Sequence, residues 1–244
     1  MTLGGTSPLP GQWFSMARLT ASRVAVAMVN PTGAETVTVL FSVSSSEIAY
    51  LGEIFNVVGT IPSVAAINST EFVTAIRTNI GPLDTGTLQL DSWSVNHLGV
   101  LAHLGTASAG AISQVVITAD GTGGVATAVR NSAGDLEVID WAVDASSGAI
   151  TRTSSATVGA ASEVAASMIG DLIFTASVNS SGNVDAGVWG YNDSQLTAGA
   201  SAQAEAANLV AAAPLSTGIF SVTASRTAAG NLQVDVWSGD YVAP

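Results

Sequence analysis

Trp93, Trp141, Trp189 and Trp237 stand 48 residues apart. Gly134, Gly182 and Gly230 keep the same interval, and so do Ala128, Ala176 and Ala224. Phe41 takes the aromatic slot 52 residues before Trp93, with the extra residues in the longer turn "TNIGPLDTGTL". A period near 48 across a chain of 244 residues means one structural unit used five times. Whatever the fold is, it must be built from five near-copies of one motif.

Each copy reads as four short strands. "FVTAIR" (72–77), "VATAVR" (125–130) and "FSVTASR" (220–226) are rich in β-branched residues. The turns "NSAGD", "NSSGN" and "TAAGN" follow, of a length suited to a hairpin with one residue at positive φ. Strands such as "LQLDSWSV" and "LEVIDWAV" come next, then a third set including "EIAYLG" and "AITRTSS". The fourth set is small-sided, "SVAAI", "SQVVI", "EVAAS" and "LVAAA", as expected where strands crowd about an axis.

Four strands in 40–50 residues make the blade of a β-propeller. The expected fold is all-β, a five-bladed β-propeller with four antiparallel strands per blade. The repeats run approximately 21–70, 71–122, 123–170, 171–217, and 218–244 completed by 1–20. The last copy stops at Pro244 with two strands made, and "MTLGGTSPLPGQWFSMARL" aligns with its missing half. The N-terminal strand is therefore expected to join the C-terminal blade and close the ring, where an open array would carry polar caps. In blade number and repeat length the chain resembles the five-bladed tachylectin-2-type lectins, across all of its residues but without their sequence motifs. The resemblance implies the architecture and a lectin-like function, and carries over no sugar-binding residue.

Composition narrows the partners. A formal charge of -12 with six Lys+Arg argues against nucleic acid and anionic membrane, since phosphate binding needs a basic patch. Without cysteine there are no disulfides, thiolate metal sites or cysteine nucleophile. The opening residues lack a basic segment followed by an apolar core, and no apolar run reaches membrane-spanning length, so a soluble chain without signal peptide is expected. The compartment stays open, because Met1 can precede a trimmed mature chain. His97 and His103 lack further ligands in sequence, and "TADGTGG" lacks the acidic spacing of a calcium loop, so neither metal nor other cofactor is expected.

The repeated residues read as structure: the aromatic slot as blade packing, and Arg77, Arg130 and Arg226 as cross-strand partners, Arg226 opposite Gln233 and Arg130 opposite Glu137. Function is sought where the copies differ. Trp13, Ser63, Gln114, Glu163 and Asn208 open the innermost strands, give or take one alignment position, and would ring a polar channel mouth beside the three arginines. Three neighbouring loops, "TSPLPGQW" (6–13), "NVVGTIPS" (56–63) and "TNIGPLDTG" (78–86), would wall it on one side of the top face. Two readings follow. The first is a non-enzymatic module binding a small molecule, a glycan or a protein at the top face and funnel. The second is an enzyme with one axial site, using Glu163 as acid or base beside Arg77 or Arg130. No catalytic motif stands in the sequence, and fold analogy does not choose between them.

Overall fold

The computed structural model describes residues 12–30, 35–55, 57–79, 85–215 and 220–238. Every regular element among them is a strand, and every pairing given by register is antiparallel. The strands are β1 (Gln12–Thr20), β2 (Arg23–Val29), β3 (Thr36–Val43), β4 (Ile48–Phe55), β5 (Gly59–Ala66), β6 (Glu71–Thr78), β7 (Gly86–Val95) and β8 (Leu101–Ala119). They continue as β9 (Gly124–Asn131), β10 (Asp135–Val143), β11 (Ile150–Ile169), β12 (Leu172–Asn179), β13 (Asn183–Asn192), β14 (Gln195–Pro214), β15 (Phe220–Thr227) and β16 (Leu232–Ser238). Strands β1 to β4 form a four-stranded sheet in sequence order, and β5 to β16 a twelve-stranded one.

The long strands explain that second sheet. In β14, residues 195–206 pair with β13 and residues 207–214 with β15. In β8, residues 112–119 pair with β9, while the earlier half neighbours β7. In β11, residues 161–169 pair with β12, while the earlier half lies beside β10. The segments predicted as separate third and fourth strands, such as "AITRTSS" and "EVAAS", are thus single continuous strands. Each serves as the last strand of one four-strand set and the first of the next. The sets are named below by their aromatic residue: Phe41, Trp93, Trp141, Trp189 and Trp237.

By its contacts the chain divides into two compact units, residues 1–111 with 121–123 and 143–151, and residues 112–120, 124–142 and 152–244. The first unit buries Leu40, Phe72 and Trp93 around Ala25 and Ala27 of β2. Its first strands β1 and β5 touch, Ser15 Oγ accepting a hydrogen bond from Val64 N at 3.1 Å. The second buries Val138, Ile173 and Trp189 in one cluster, and Phe174, Ala176 and Val184 in another. Ala128 and Ala176 of the repeat are fully buried. A larger side chain there would overpack the contact between successive sets.

Each set begins its first strand with a β-bulge, at Ser113, Ser162 and Asn208 in the later sets. Between Gln12 and Ser15, and between Thr60 and Ser63, two residues face one on the partner strand, again one residue extra, with Trp13 and Ile61 at φ 53° and 52°. Bulges of this kind bend a strand and redirect its side chains. The hairpin turn after the second strand is also repeated. Gly134, Gly182 and Gly230 adopt φ of 86°, 83° and 82°, and each donates its N–H to the carbonyl three residues back.

Candidate functional site

The register relocates the predicted mouth. The residues opposite the arginine column are Thr60 (Arg77), Gln114 (Arg130), Glu163 (Val178) and Leu209 (Arg226), with Gln12 opposite Val29 in the Phe41 set. Of the five proposed residues, only Gln114 and Glu163 occupy equivalent places. Ser63 lies three residues further along, buried opposite Ala75, while Trp13 and Asn208 are the bulged residues themselves and are exposed. The displacement comes from the place of the one-residue bulge, which follows the residue opposite the arginine column in the Phe41 and Trp93 sets and precedes it in the later ones, a shift that no alignment of sequences marks.

The arginines are not alike. Arg77 is buried and donates from Nε to Thr60 Oγ1 at 3.1 Å. Arg130 reaches Ser113 Oγ from Nη1 at 3.4 Å, and Arg226 is exposed. Glu163 is half-buried and faces Val178, which like Val29 of the Phe41 set stands in the column where the other copies have arginine. Within the second unit the turn and the next set's first strand do meet at one end, with Ala161 N bonded to Gly134 O and Ala207 N to Gly182 O, both at 2.8 Å. Of the three loops expected to wall the mouth, residues 6–11, 56 and 80–84 lie outside the described residues.

Two expectations of cross-strand pairing are corrected. Arg226 stands opposite Leu232, not Gln233, and Arg130 opposite Leu136, not Glu137. The turn holds three residues with the glycine last, which moves the register by one and puts the partner on the other face. Glu137 is met instead by Arg152, Nη2 to Oε1 at 2.9 Å. His103 is exposed at the surface but engaged there. Its Nε2 lies 3.3 Å from Asp91 Oδ1 and 3.1 Å from Thr106 Oγ1, and its ring packs edge-on to Trp93 at 4.9 Å.

A concave site of the second unit lies elsewhere, over the face of the Trp189 set. It is a cleft of about 640 Å³, walled by Thr175 and Ser177 of β12, by Asp185, Gly187 and Trp189 of β13, and by Ser201 and Gln203 of β14. Leu136, Val158 and Ala160 form the apolar side. Pairing explains the alignment: Ser177, Asp185 and Gln203 lie opposite one another in one row, and Thr175, Gly187 and Ser201 in the next. Side chains directly opposite in neighbouring strands share a face.

Asp185 is held from two sides. Asn179 Nδ2 donates to its Oδ2 at 3.0 Å and Gln203 Nε2 to its Oδ1 at 2.8 Å, while Asn183 Nδ2 fixes the Gln203 amide oxygen at 3.3 Å. Asn179 in turn is locked by the hairpin turn, its Oδ1 accepting from Ser181 N and Asn183 N. A carboxylate offers about four acceptor sites, so two remain for a ligand. Trp189 is buried, and its Nε1 donates to Thr175 Oγ1 at 2.8 Å.

Gly187 opens the cleft. A Cβ built there would lie 3.6 Å from Thr175 Oγ1 and 3.8 Å from Trp189 Nε1, ordinary contact, so a side chain at this position would project into empty space. The column two residues before the aromatic reads Val39, Asp91, Ile139, Gly187, Asp235. That column was legible, but it acquires meaning only once the register shows that it faces a cleft. Among the described residues no group of three His, Cys, Asp or Glu side chains gathers to hold a metal.

No protein-family model matches the chain, and no curated protein matches it. Solved structures do. A triple arginine-to-alanine mutant of AofleA from Arthrobotrys oligospora is similar at a TM-score of 0.64 and 10% identity, over 94% of this chain and 70% of that one. A mutant of the Aleuria aurantia lectin AAL in complex with Fucα1-6GlcNAc is similar at 0.64 and 11%, over 96% and 79%. A protein from Lactobacillus plantarum is similar at 0.59 and 18%, over 91% and 69%. At such identities the likeness carries the fold and nothing more. AofleA and AAL are lectin-like β-propellers, and this all-β chain of antiparallel sheets shares their fold.

Proposed function

We propose that the chain is a non-enzymatic, lectin-like glycan-binding module, and that its four-strand sets are the blades of a five-bladed propeller. One observation carries the binding reading: a rigid carboxylate, Asp185, set in a cleft of about 640 Å³ beside hydroxyls on one side and an apolar wall on the other. Sugar rings present hydroxyl donors along their edges and C–H patches on their faces, and such a cleft answers both. The complex of AAL with Fucα1-6GlcNAc supports the same reading by analogy of fold.

The five-bladed ring is supported by β16. Its counterparts β3, β7, β10 and β13 each have a fourth strand beside them, whereas β16 neighbours only β15 among the described strands. Leu232, Val234 and Val236 stand exposed along it. In this reading the stretch before β1 supplies the missing fourth strand, as the first half of β11 does for β10.

A glycan array followed by calorimetric titration tests the function. Gly187→Ile imports the residue of the preceding set and fills the cleft. It is expected to leave the thermal unfolding midpoint within a few degrees while abolishing binding. Unimpaired glycan binding by that variant rules the cleft out, and capture of a peptide or protein in place of every glycan favours a protein-interaction role.

A further inference from the structure

We infer that the chain holds one glycan, at the cleft over Trp189, and that Asp185 restricts it to sugars bearing no acidic group. The inference rests on the glycan-binding reading and adds to it a valency and a ligand class. A protein made of near-copies would be expected to carry a site in each copy. Here the equivalent places are taken by the protein's own side chains.

In the Trp93 set Asp91 stands where the cleft has Gly187. It is buried, and it accepts hydrogen bonds from Gln89 Nε2 at 2.9 Å and Thr106 Oγ1 at 2.6 Å, with His103 laid across Trp93 beside it. In the Trp141 set the place belongs to Ile139, which is buried. The counterpart of Asp185 there is Glu137, already paired with Arg152, which also donates to Ser155 Oγ at 2.5 Å. The Phe41 set fills the same face with buried Val37 and Val39, and Tyr50 meets Phe41 edge-on at 6.5 Å. In the Trp237 set Asp235 returns, bonded to Gln233 Nε2 at 3.0 Å. In every other set a side chain stands at the position of Gly187, whereas in the glycine set two rows of hydroxyl, amide and carboxylate groups line the cleft.

The charge of that space decides the ligand class. Its lining contains one carboxylate and no Arg, Lys or His. Asp185 is bonded only to neutral amides, so its charge has no counter-ion within the cleft. The whole chain adds a formal charge of -12. A sugar carrying a carboxylate or sulfate would meet uncompensated like charge in a half-enclosed site, whereas hydroxyl donors complement the free acceptors of Asp185.

The test is titration of the intact chain with the tightest-binding neutral oligosaccharide from an array, and with the same oligosaccharide bearing sialic acid or sulfate. A stoichiometry of one ligand per chain is expected. Binding should be lost in Gly187→Ile, and the acidic form should bind at least about tenfold more weakly. Asp185→Asn should narrow that gap while weakening the neutral sugar. Should Gly187→Ile fail to fold, Gly187→Asp, the residue of two sister sets, serves as the second variant. Two or more equivalents bound, residual sites in the filled variants, or equal affinity for the acidic form would overturn the inference and leave glycan binding standing. Silence across all glycans overturns the function itself, a different result.

Discussion

The indole N–H of each tryptophan has a fixed destination. Trp93, Trp141, Trp189 and Trp237 donate to Thr74, Thr127, Thr175 and Thr223 at 2.8–3.0 Å. In the Phe41 set Val39 lies opposite Val26, so Val26 takes the threonine's place just as Phe41 takes the tryptophan's, and donor and acceptor are absent together. Losing one partner strands a buried polar group, while losing both is nearly neutral. Thr127→Val should therefore cost about 1–3 kcal/mol in chemical unfolding, and the added change Trp141→Phe should cost less than its own single-mutant effect. The packing role of the aromatic slot was readable from the Phe41 substitution. The threonine partner, 14 residues before three of the tryptophans, was equally visible and went unread, because residues far apart in sequence acquire a pairing only through register. Tyr191 makes a second residue-scale prediction. Burial first, then its hydrogen bond to Asp140, raises its pKa above 10. Folding thus favours the protonated phenol, and this stabilisation is complete below pH 10 and fades as pH rises through the folded value. The chain has no lysine to mask the effect. Stability measured from pH 9 to 11.5 should fall in the wild type and fall less steeply in Tyr191→Phe.

At the scale of elements, hairpins were foreseen in the right places with the wrong register. The glycine at the end of a three-residue turn sets strand pairing one residue away from the symmetric guess, so Arg130 and Glu137 came out on opposite faces. Gly182 sits at φ 83° with no neighbour near its missing Cβ, so only backbone conformation opposes a side chain there. Gly182→Ala should cost about 1–2 kcal/mol, read as a lowered denaturant midpoint at unchanged slope. It should also weaken ligand binding, because Asn179 caps the same turn while it holds Asp185. The long strands were legible only as two halves. Nothing in "TRTSSATVGAASEVAAS" marks where one set ends and the next begins, since the backbone never turns there.

For the molecule as a whole, the period of 48 announced the fold, and the comparisons bear out the propeller class. The site was less accessible, for a physical reason. Polar side chains near an axis can be guessed from sequence, whereas a cleft made by the absence of a side chain at Gly187 needs the neighbouring strands in place before it exists. Ring closure makes the molecular-scale prediction: deleting residues 1–11 should lower the thermal midpoint by roughly 5–10 °C, a few kcal/mol in a chain of this size. An unchanged midpoint would refute the five-bladed ring.

Because β8, β11 and β14 each belong to two sets, the places where the polypeptide can be cut are not equivalent. A nick in the turn after β12 severs a single hairpin and leaves both flanking β-ribbons whole. One at residue 160, midway along β11, removes the last strand of one neighbour and the first of the other in a single stroke. Limited proteolysis and circular permutation should therefore succeed at the hairpins and fail at the seams, although the seams are where a sequence repeat most naturally invites the scissors.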